Sequence, residues 1–575
     1  MNNVDSLYAL WLEKTASDEA MQSELRSIEG DGAAILDRFY RGLEFGTAGL
    51  RGVLGAGTNR MNSYTVNQAT QGLADYLNDE FDNPSVAIAY DSRINSDVFA
   101  KGAACVLAAN GVRVHMYKEL MPTPMLSFAV RRLKCQSGII ITASHNPSQY
   151  NGYKCYDPNG YQMTDSAAEK TYAYIQNVDM FDGVKTADFG QALKSGMISY
   201  IGGDVIEEFF GHVLSNQINA GICESAGLRV VYTPLNGTGS KPVREILRRI
   251  GQTDVTVVPA QENPDGNFPT CPFPNPEIRQ AFEQALLIAE RLNPKPDLLL
   301  ATDPDCDRVG IAVLRDDGYR LMSGNEVCVL LTDYILSQRK LKGTLPDSPV
   351  VVKSFVTTDM VDTVAKKYGC ETKNLLTGFK YTGEFVTGLE RLGEENRFIL
   401  GMEESYGYVA GTHARDKDAV VASMLITEMA AYYKSIGKTV ACVMEELYAE
   451  HGMYLSTLLN FGFEGASGMK LMDALMTGLR DNAPAEIGGL AVLSVSDYLT
   501  GKSVDTITGG ETAVGLPKSN VLQYRLPGKS SVIVRPSGTE PKLKIYITSV
   551  AKDKTSAEAL SEKLGAGIKA IANIK

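Results

Sequence analysis

Residues 138–154, GIIITASHNPSQYNGYK, carry the clearest information about the fold of this chain. Their β-branched apolar run predicts a buried strand, and the polar residues that follow cannot continue a core. Asn146 and Pro147 predict a turn, so the strand ends by presenting Ser144 beside His145, with Lys154 shortly after. Open α/β sheets bind ligands at such strand ends. For this segment alone, a polar surface turn is the alternative.

A unit of strand, helix, glycine and strand occurs three times along the chain. Residues 85–91 predict a strand, and a helix follows at 97–109 with Ser96 as its cap. The same order returns around predicted helices at 242–250 and 359–368. Repeated β-α-β units predict similar α/β domains.

Each repeat also ends with a buried strand that runs into a polar cluster. The clusters are ASHN after the first repeat, DPDCDR after the second and MEES after the third. We therefore expect three similar α/β domains with mixed sheets between helices, each giving one loop to a central active-site cleft. The pattern breaks near residue 450, which predicts a smaller C-terminal α+β domain. The predicted domains are 1–204, 205–320, 321–450 and 451–575.

Composition and charge exclude several classes of protein. The chain has 575 residues, 44% hydrophobic and 22% charged, which is ordinary for a multidomain globular protein. Its net charge of −12 argues against a nucleic-acid binder. The nine cysteines form no C-x-x-C pair, which argues against structural zinc. No apolar run is long enough to span a membrane and the start is acidic, so we expect a cytoplasmic protein.

The second polar loop predicts a metal site. Asp303, Asp305 and Asp307 alternate along it, and carboxylate oxygens favour one Mg²⁺ ion. An EF-hand is excluded because Arg308 and Leu314 occupy the positions that would need glycine and glutamate. Arg308 partly offsets the excess negative charge, and an oxygen of Ser144, or of a phosphate on it, could complete the site. A solvated acidic turn is the alternative.

The third loop suits a sugar and an anion. Glu403 and Ser405 offer a carboxylate and a hydroxyl that match the vicinal hydroxyls of a sugar, although a capping box would also explain them. Downstream, His413, Arg415 and Lys417 are cations suited to an anionic ligand.

The last loop predicts a phosphate site. Arg535 offers a bidentate fork, Ser537 and Thr539 offer hydroxyls, and Gly538 allows backbone N–H groups to approach an anion closely. Lys544 in the next strand is a further candidate. A second glycine-rich loop, FGTAGLRG near the N-terminus, carries Arg51.

Taken together, these loops resemble the motifs of the α-D-phosphohexomutases, the phosphoglucomutase and phosphomannomutase superfamily. FGTAGLRG, TASHNP with NGYK, DPDCDR, GMEES and RPSGTEPK match that family's motifs in order across nearly the full length. The resemblance implies four domains around a central cleft, of which the first three are alike. We expect the last domain to be the lid, because it would hold the phosphate and lies after the repeats.

The resemblance also implies a role for each loop. Ser144 would be the phosphoserine, and the three aspartates with a phosphoserine oxygen would hold Mg²⁺. Arg51, His145 and Lys154 would lie near the transferred group, and either His145 or Lys154 would manage the proton of the attacking hydroxyl. The remaining candidates would bind substrate: Arg308, Thr377, Gly378, Lys380, Glu403, Ser405, His413, Arg415, Lys417, Arg535, Ser537, Gly538, Thr539 and Lys544.

The sugar loop is most similar to the glucose-handling branch. MEES and TGFKY (377–381) resemble its phosphoglucomutase-2-like group. We therefore expect interconversion of glucose 1-phosphate and glucose 6-phosphate, with glucose 1,6-bisphosphate as intermediate and primer. Phosphopentomutase or phosphomannomutase activity, a metal-assisted phosphatase and a non-catalytic phosphosugar-binding regulator are the alternatives. The expected partner is a small sugar phosphate, with no nucleic acid and no membrane, and the chain could be a monomer or a dimer.

Overall fold

Three short helices precede the first sheet of the computed structural model, which describes residues 3–46, 49–463, 465–536 and 542–574. They are α1 (Asn3–Lys14), α2 (Glu19–Ser27) and α3 (Gly32–Phe39). Asp18 and Asp31 cap the second and third helices by accepting backbone N–H groups. The helices enclose a small core around Trp11, whose ring meets Phe39 edge-on at 5.8 Å between centroids.

The first α/β domain is built on a six-stranded mixed sheet. Its strands run in the order β1-β5-β4-β2-β3-β6, with β2, β3, β4 and β6 parallel and β5 antiparallel to both neighbours. Its elements are β1 (Gly49–Val53), α4 (Ser63–Glu80), β2 (Ser85–Tyr90), α5 (Ser96–Ala109), β3 (Arg113–Met116), α6 (Thr123–Arg132), β4 (Ser137–Ile141), β5 (Tyr150–Tyr156), α7 (Asp165–Gln176), α8 (Phe189–Ser195) and β6 (Ile198–Tyr200). The register pairs Lys154 with Ile140, which returns the lysine to the sheet edge where β4 ends.

The start of α5 differs from the sequence prediction. Asn95, at φ 65°, occupies the cap position without a side-chain capping bond, and Ser96 is the first helical residue. The Ser96 hydroxyl instead donates to Asp91 Oδ1 at 2.8 Å. Asn tolerates the left-handed conformation better than most residues, which explains why it takes the cap position.

The second α/β domain has a five-stranded sheet in the order β11-β10-β9-β7-β8. Its elements are α9 (Gly203–Leu214), α10 (Ile222–Ser225), β7 (Val230–Thr233), α11 (Ser240–Arg249), β8 (Val255–Val257), α12 (Pro259–Glu262), a 3₁₀ turn (Arg279–Phe282), α13 (Glu283–Arg291), β9 (Leu298–Thr302), β10 (Val309–Arg315) and β11 (Gly318–Met322). Strands β7, β8 and β9 are parallel, while β10 is antiparallel to β9. The aspartate loop therefore connects the antiparallel pair β9 and β10.

The third repeat supplies the predicted sugar loop. Its elements are α14 (Gly324–Leu341), β12 (Val350–Ser354), α15 (Met360–Lys367), β13 (Glu371–Leu375), α16 (Phe379–Leu392), a 3₁₀ turn (Glu395–Arg397), β14 (Phe398–Glu403), β15 (Gly407–Val409), α17 (Ala419–Ser435) and α18 (Val440–His451). Strands β12 and β13 pair in parallel, as expected of a β-α-β unit.

The C-terminal domain is dominated by a seven-stranded antiparallel sheet in the order β16-β24-β23-β22-β19-β20-β21. Its elements are β16 (Met453–Gly462), α19 (Gly465–Asp481), the short pair β17 (Glu486–Ile487) and β18 (Leu490–Ala491), β19 (Ser494–Asp497), β20 (Lys502–Asp505), β21 (Glu511–Ala513), β22 (Leu522–Arg525), a 3₁₀ turn (Pro527–Lys529), β23 (Ser531–Pro536), β24 (Lys542–Ala551) and α20 (Lys554–Ile571). The predicted fold class, three α/β domains with a smaller α+β domain, is confirmed.

The chain divides into two compact units. Residues 1–323, 382–401 and 405–439 form the first, and residues 324–381, 402–404 and 440–575 form the second. Within the second unit, the C-terminal sheet packs on the third repeat. An apolar cluster joins them, made of Phe355, Val356, Leu376, Tyr498, Val521 and Ile533.

No helix in the described part of the chain has both the length and the apolar character needed to cross a membrane.

Candidate active site

The loop after β4 places Ser144 against the aspartate loop of the second domain. Ser144 is 3% exposed and adopts a φ of 51°, which is unusual for a residue with a side chain. Its N–H donates to Thr142 Oγ1 at 2.8 Å, and its Oγ donates to Asp303 Oδ2 at 2.8 Å. The predicted serine and the predicted metal loop are thus in direct contact.

The three aspartates of the second loop form one cluster. Asp303, Asp305 and Asp307 are fully buried or nearly so, and one carboxylate oxygen from each lies within 4.8 Å of the others. Backbone N–H groups of Asp307 and Arg308 donate to Asp303 Oδ1 at 3.1 and 3.0 Å. The loop therefore curls around its first carboxylate and presents the other oxygens to one point.

Two lysines compensate part of the cluster's charge. Lys154 Nζ lies 3.0 Å from Asp305 Oδ2, and Lys417 Nζ lies 2.9 Å from Asp307 Oδ2. Arg308 Nη1 pairs with Glu277 Oε1 at 2.6 Å, while its Nε is 3.7 Å from Asp307 Oδ1. Of the predicted cations, both lysines and Arg308 reach the aspartates.

The electrostatics of the cluster favour a bound cation. Burial, followed by the charges of Asp305 and Asp307, raises the pKa of Asp303 well above its ordinary value. Burial opposes ionisation of Asp305 as well, but Lys154, the hydrogen bond with Asp303 and the charge of Lys417 together outweigh it, and the pKa of Asp305 is lowered. Among the described residues, Asp305 Oδ1 and Asp307 Oδ1 are buried without a hydrogen-bond partner. Oxygens of this kind fit a hard divalent cation such as Mg²⁺.

His145 is placed to exchange a proton near Ser144. Its Nδ1 lies 3.3 Å from Ser144 Oγ, and its ring faces Phe273. Burial, then the positive charges of Arg308 and Arg51, lower the pKa of His145 well below 6.5. The imidazole is therefore neutral at pH 7, so one of its ring nitrogens is a hydrogen-bond acceptor.

Arg51 and Ser405 occupy the margins of this site. Arg51 is exposed on β1, where the register pairs it with Gly152. Thr47 and Ala48 of the same glycine-rich loop lie outside the described residues. Ser405 precedes Tyr406, whose carbonyl accepts the N–H of Val309 at 3.1 Å. This backbone contact holds the start of the 405–409 segment against the aspartate loop.

The other two predicted cations of the third loop contact carboxylates outside the aspartate cluster. His413 is 4% exposed, and its Nε2 lies 2.7 Å from Asp418 Oδ2, the residue that caps α17. Arg415 is 1% exposed and binds Glu390 Oε2 at 2.8 Å. Neither side chain reaches the aspartates, whereas Lys417, two residues further on, does.

In the second unit, the TGFKY loop contacts the sugar loop. The Gly378 N–H donates to Glu403 Oε1 at 2.8 Å. Gly378 has a φ of 114°, which only glycine adopts readily. Thr377 precedes it, and Lys380 lies in the first turn of α16 with its Nζ 5.2 Å from the centroid of the Tyr381 ring. Gly378 thus orients a carboxylate expected to bind sugar hydroxyls.

The phosphate candidates that are described lie on one face of the C-terminal sheet. Arg535 on β23 pairs in register with Lys544 on β24. Tyr546, two residues along β24, lies on the same face and hydrogen-bonds the Arg535 side chain. Ser537, Gly538 and Thr539 lie outside the described residues.

Sequence reasoning missed several residues that support these loops. Thr123 donates to Asp305 from both its N–H and its hydroxyl, at 2.9 and 3.1 Å. Ser354 and Thr357 donate to Glu404 Oε2 at 2.9 and 3.3 Å, which fixes the neighbour of Glu403. Single threonines and serines carry no distinctive spacing, so only the folded arrangement reveals them.

Comparison with known proteins gives consistent matches along most of the chain. Three family models match in order: phosphoglucomutase/phosphomannomutase α/β/α domain I over residues 42–181, domain II over 207–316 and domain III over 323–451. A phosphoglucomutase of Staphylococcus aureus (strain bovine RF122 / ET3-1) is 36% identical over 541 residues, covering 94% of this chain and 95% of that protein. A phosphoglucomutase of Staphylococcus saprophyticus is 34% identical over 507 residues, covering 88% and 90%.

Solved structures share the fold at lower identity. The phosphoglucomutase parafusin from Paramecium, in its open form, has a TM-score of 0.69 at 18% identity, over 93% of this chain and 95% of that one. A phosphoglucomutase/phosphomannomutase family protein from Burkholderia thailandensis has a TM-score of 0.66 at 18% identity, over 92% and 97%.

Proposed function

Since this chain belongs to the phosphoglucomutase/phosphomannomutase family, we propose that it interconverts glucose 1-phosphate and glucose 6-phosphate. Family membership makes it a phosphohexomutase, an enzyme of the isomerase type. One observation carries the proposal: the Ser144 hydroxyl lies 2.8 Å from Asp303, at the edge of a buried aspartate cluster. The names of the two staphylococcal relatives support glucose as the sugar.

Ser144 would carry the phosphoryl group. In the first step, a sugar hydroxyl attacks the phosphorus of phosphorylated Ser144, so a new P–O bond forms while the bond to Oγ breaks. The product, glucose 1,6-bisphosphate, turns around and returns its other phosphate to Ser144. The net change is a moved phosphate, with Ser144 phosphorylated again.

Asp303, Asp305 and Asp307 would hold Mg²⁺. The unpartnered oxygens of Asp305 and Asp307 support this assignment. When bound, the ion would neutralise negative charge on the phosphoryl oxygens. Lys154 and Lys417 would limit the repulsion between the remaining carboxylate charge and the incoming phosphate.

The proton of the attacking hydroxyl requires a base. His145 is the better candidate for this role, because its imidazole is neutral at pH 7 and its Nδ1 lies 3.3 Å from Ser144 Oγ. Lys154 is paired with Asp305 and would serve as an electrostatic partner of the phosphoryl group. Arg51 and Arg308 would add positive charge beside it.

Recognition of the sugar and of the second phosphate would fall to the other loops. Glu403 and Ser405 would bind sugar hydroxyls, with Thr377, Gly378 and Lys380 shaping the position of Glu403. Arg535, Ser537, Gly538, Thr539 and Lys544 would bind the phosphate that is not being transferred. For His413 and Arg415 we propose support of the backbone that presents Lys417, because both are buried against protein partners.

The test is an isomerisation assay with glucose, mannose, glucosamine and ribose 1-phosphates, each with Mg²⁺ and glucose 1,6-bisphosphate as primer. We expect kcat/KM for glucose 1-phosphate to exceed the others by about 10-fold or more. A preference for ribose or mannose would replace glucose in the proposal. Release of inorganic phosphate without isomerisation would overturn it.

Ser144→Ala is the matched variant for the carrier. It should lose isomerisation and all stable incorporation of phosphate from labelled glucose 1,6-bisphosphate. Ser423→Ala, which changes a buried serine in α17, should retain both. Incorporation of label into Ser144→Ala would assign the carrier to another residue.

We also propose that the protein is located in the cytoplasm.

A further inference from the structure

A buried arginine that no motif singled out is bonded to the backbone of the Ser144 loop. Arg93 follows β2 and is 3% exposed. Its Nη1 donates to the carbonyls of Pro147 and Tyr150, both at 2.9 Å. Its Nη2 donates to the carbonyls of Ser144, at 2.6 Å, and Asn146. One guanidinium group therefore satisfies four carbonyls of a single loop.

Arg93 is itself fixed from two sides. Asp91 Oδ2 lies 3.4 Å from Arg93 Nε, and Asp91 Oδ1 accepts the Arg93 N–H at 2.9 Å. The guanidinium lies over the ring of Phe268, 5.1 Å from the centroid. Gly266 approaches the same turn so closely that a Cβ there would lie 2.5 Å from Ile94 N. The counter-ion and the ring therefore position the guanidinium, and the close approach of Gly266 packs against the backbone turn that carries it.

The Ser144 loop needs such support because of its backbone conformation. A φ of 51° at Ser144 is disfavoured for residues that carry a Cβ, because the Cβ comes close to the following carbonyl oxygen. A strained residue persists only where the surrounding contacts determine it. Arg93 bonds the carbonyl of Ser144 itself, on the residue whose Oγ meets Asp303.

We infer that Arg93 is a positioning residue for phosphoryl transfer: its guanidinium holds the Ser144 loop in the conformation that aims Oγ at the aspartate cluster. This inference rests on the proposed role of Ser144 as phosphoryl carrier. A lysine could not replace it, because an ammonium group offers three donors from one point, whereas the four carbonyls require a planar fork.

The test is Arg93→Lys, which keeps the charge and removes the fork. We expect kcat for glucose 1-phosphate isomerisation to fall about 100-fold while KM stays within about 3-fold. The substrate-binding loops are unchanged, so a split between kcat and KM distinguishes positioning from general damage. Phosphate transfer from labelled glucose 1,6-bisphosphate to Ser144 should slow by a similar factor.

Arg249→Lys is the matched control. Arg249 also lies over a phenylalanine ring, 4.6 Å from the Phe210 centroid, and pairs with Glu207 and Glu245. It has no described contact with the Ser144 loop, so its kcat should stay within about 2-fold of the unmodified enzyme.

Asp91→Asn keeps the proposal testable if Arg93→Lys does not fold. The amide retains an acceptor for the Arg93 N–H but removes the counter-ion, and we expect kcat to fall about 10-fold with KM unchanged. Unchanged kcat in a folded Arg93→Lys, or in Asp91→Asn, would overturn the inference. If the unmodified enzyme, in which Arg93 is intact, takes no label on Ser144, the proposed function has failed and not the inference about Arg93.

Discussion

Asp157 has an environment that penalises its charge. It follows β5, the strand of Lys154, and accepts the N–H and side-chain amide of Asn159 at 2.8 and 3.2 Å. Burial raises its pKa from 3.8 to about 6. The unfolded chain releases this proton near pH 3.8, whereas the folded chain keeps it to about pH 6. The folded state therefore loses stability as the pH rises from about 3.8 to about 6, and the full penalty is present above pH 6.

We predict that Asp157→Asn stabilises the protein at neutral pH. The gain in the free energy of unfolding should be about 1–3 kcal/mol at pH 7.5, should shrink as the pH falls through 6, and should vanish below 3.8. Thermal denaturation at pH 4.5 and 7.5, followed by circular dichroism, measures it. Asp82→Asn, at an exposed position of the same domain, is the control. An equal gain at both pH values would contradict the assignment.

Single residues also show how far the sequence alone could predict the site. Ser144, the three aspartates and Lys154 follow directly from strand ends and from alternating carboxylates, and the structure brings them together. The cluster His413, Arg415 and Lys417 could not be resolved in this way. Three basic residues within five positions look equivalent in the sequence. Their contacts in the folded protein distinguish them, because His413 hydrogen-bonds Asp418 whereas Lys417 pairs with Asp307.

At the scale of elements, a loop before α16 donates a hydrogen bond to Glu403, the carboxylate that we propose binds the sugar. The Gly378 N–H bonds Glu403 Oε1 from a backbone conformation, φ 114°, that alanine adopts only with strain. A Cβ at Gly378 would meet nothing closer than the Tyr381 ring at 3.9 Å. Substitution there changes the backbone preference without creating a steric clash.

We predict that Gly378→Ala raises KM for glucose 1-phosphate about 10-fold, because the loop relaxes and the bond to Glu403 is lost. Steady-state kinetics measures this change. Gly501→Ala is the control, since Gly501 has a φ of 77° and a Cβ added there would have no neighbour within 4 Å. Equal effects on KM in both variants would show that strain alone, and not the Glu403 contact, is responsible.

The elements themselves were predictable where burial imposes a pattern. Strands β4, β9 and β12 are buried at every position and appear in the sequence as apolar runs. Strands β20 and β21 have exposed or half-exposed residues throughout, so the apolar and polar residues do not alternate clearly. The edge strand β21 and its neighbour β20 had no distinctive sequence pattern, and the C-terminal domain could be predicted only in outline.

At the scale of the molecule, the C-terminal sheet is attached to the third repeat by more than the apolar cluster. Arg525 at the end of β22 pairs with Asp359, which also pairs with Lys353 Nζ at 3.0 Å. Lys353 is fully buried. Burial of Asp359 by itself would raise the pKa of that carboxyl, but Lys353 and Arg525 outweigh this effect and the pKa of Asp359 falls to about 2. Arg535 and Lys544 lie on the same sheet as Arg525, so this attachment helps to place the phosphate candidates.

We predict that Arg525→Gln raises KM for glucose 1-phosphate about 5-fold with little change in kcat, because a partly exposed ion pair contributes about 1 kcal/mol. Steady-state kinetics and limited proteolysis of the C-terminal domain measure the effect. Lys502→Gln is the control, since Lys502 pairs with Glu511 at the exposed edge of the same sheet. Unchanged KM and protease resistance in Arg525→Gln would show that the apolar cluster holds the domain alone.

The small core of the N-terminal helices has a spectroscopic consequence. Trp11 is the only tryptophan in the chain, is 1% exposed, and is surrounded by Phe39, Tyr64 and Phe181 with ring centroids 5.5–5.8 Å away. Its emission should be blue-shifted in the folded protein and should move to longer wavelength when α1, α2 and α3 separate. Fluorescence excited selectively at this indole therefore reports the unfolding of the N-terminal helices alone. Unfolding of the sheets does not contribute to this signal.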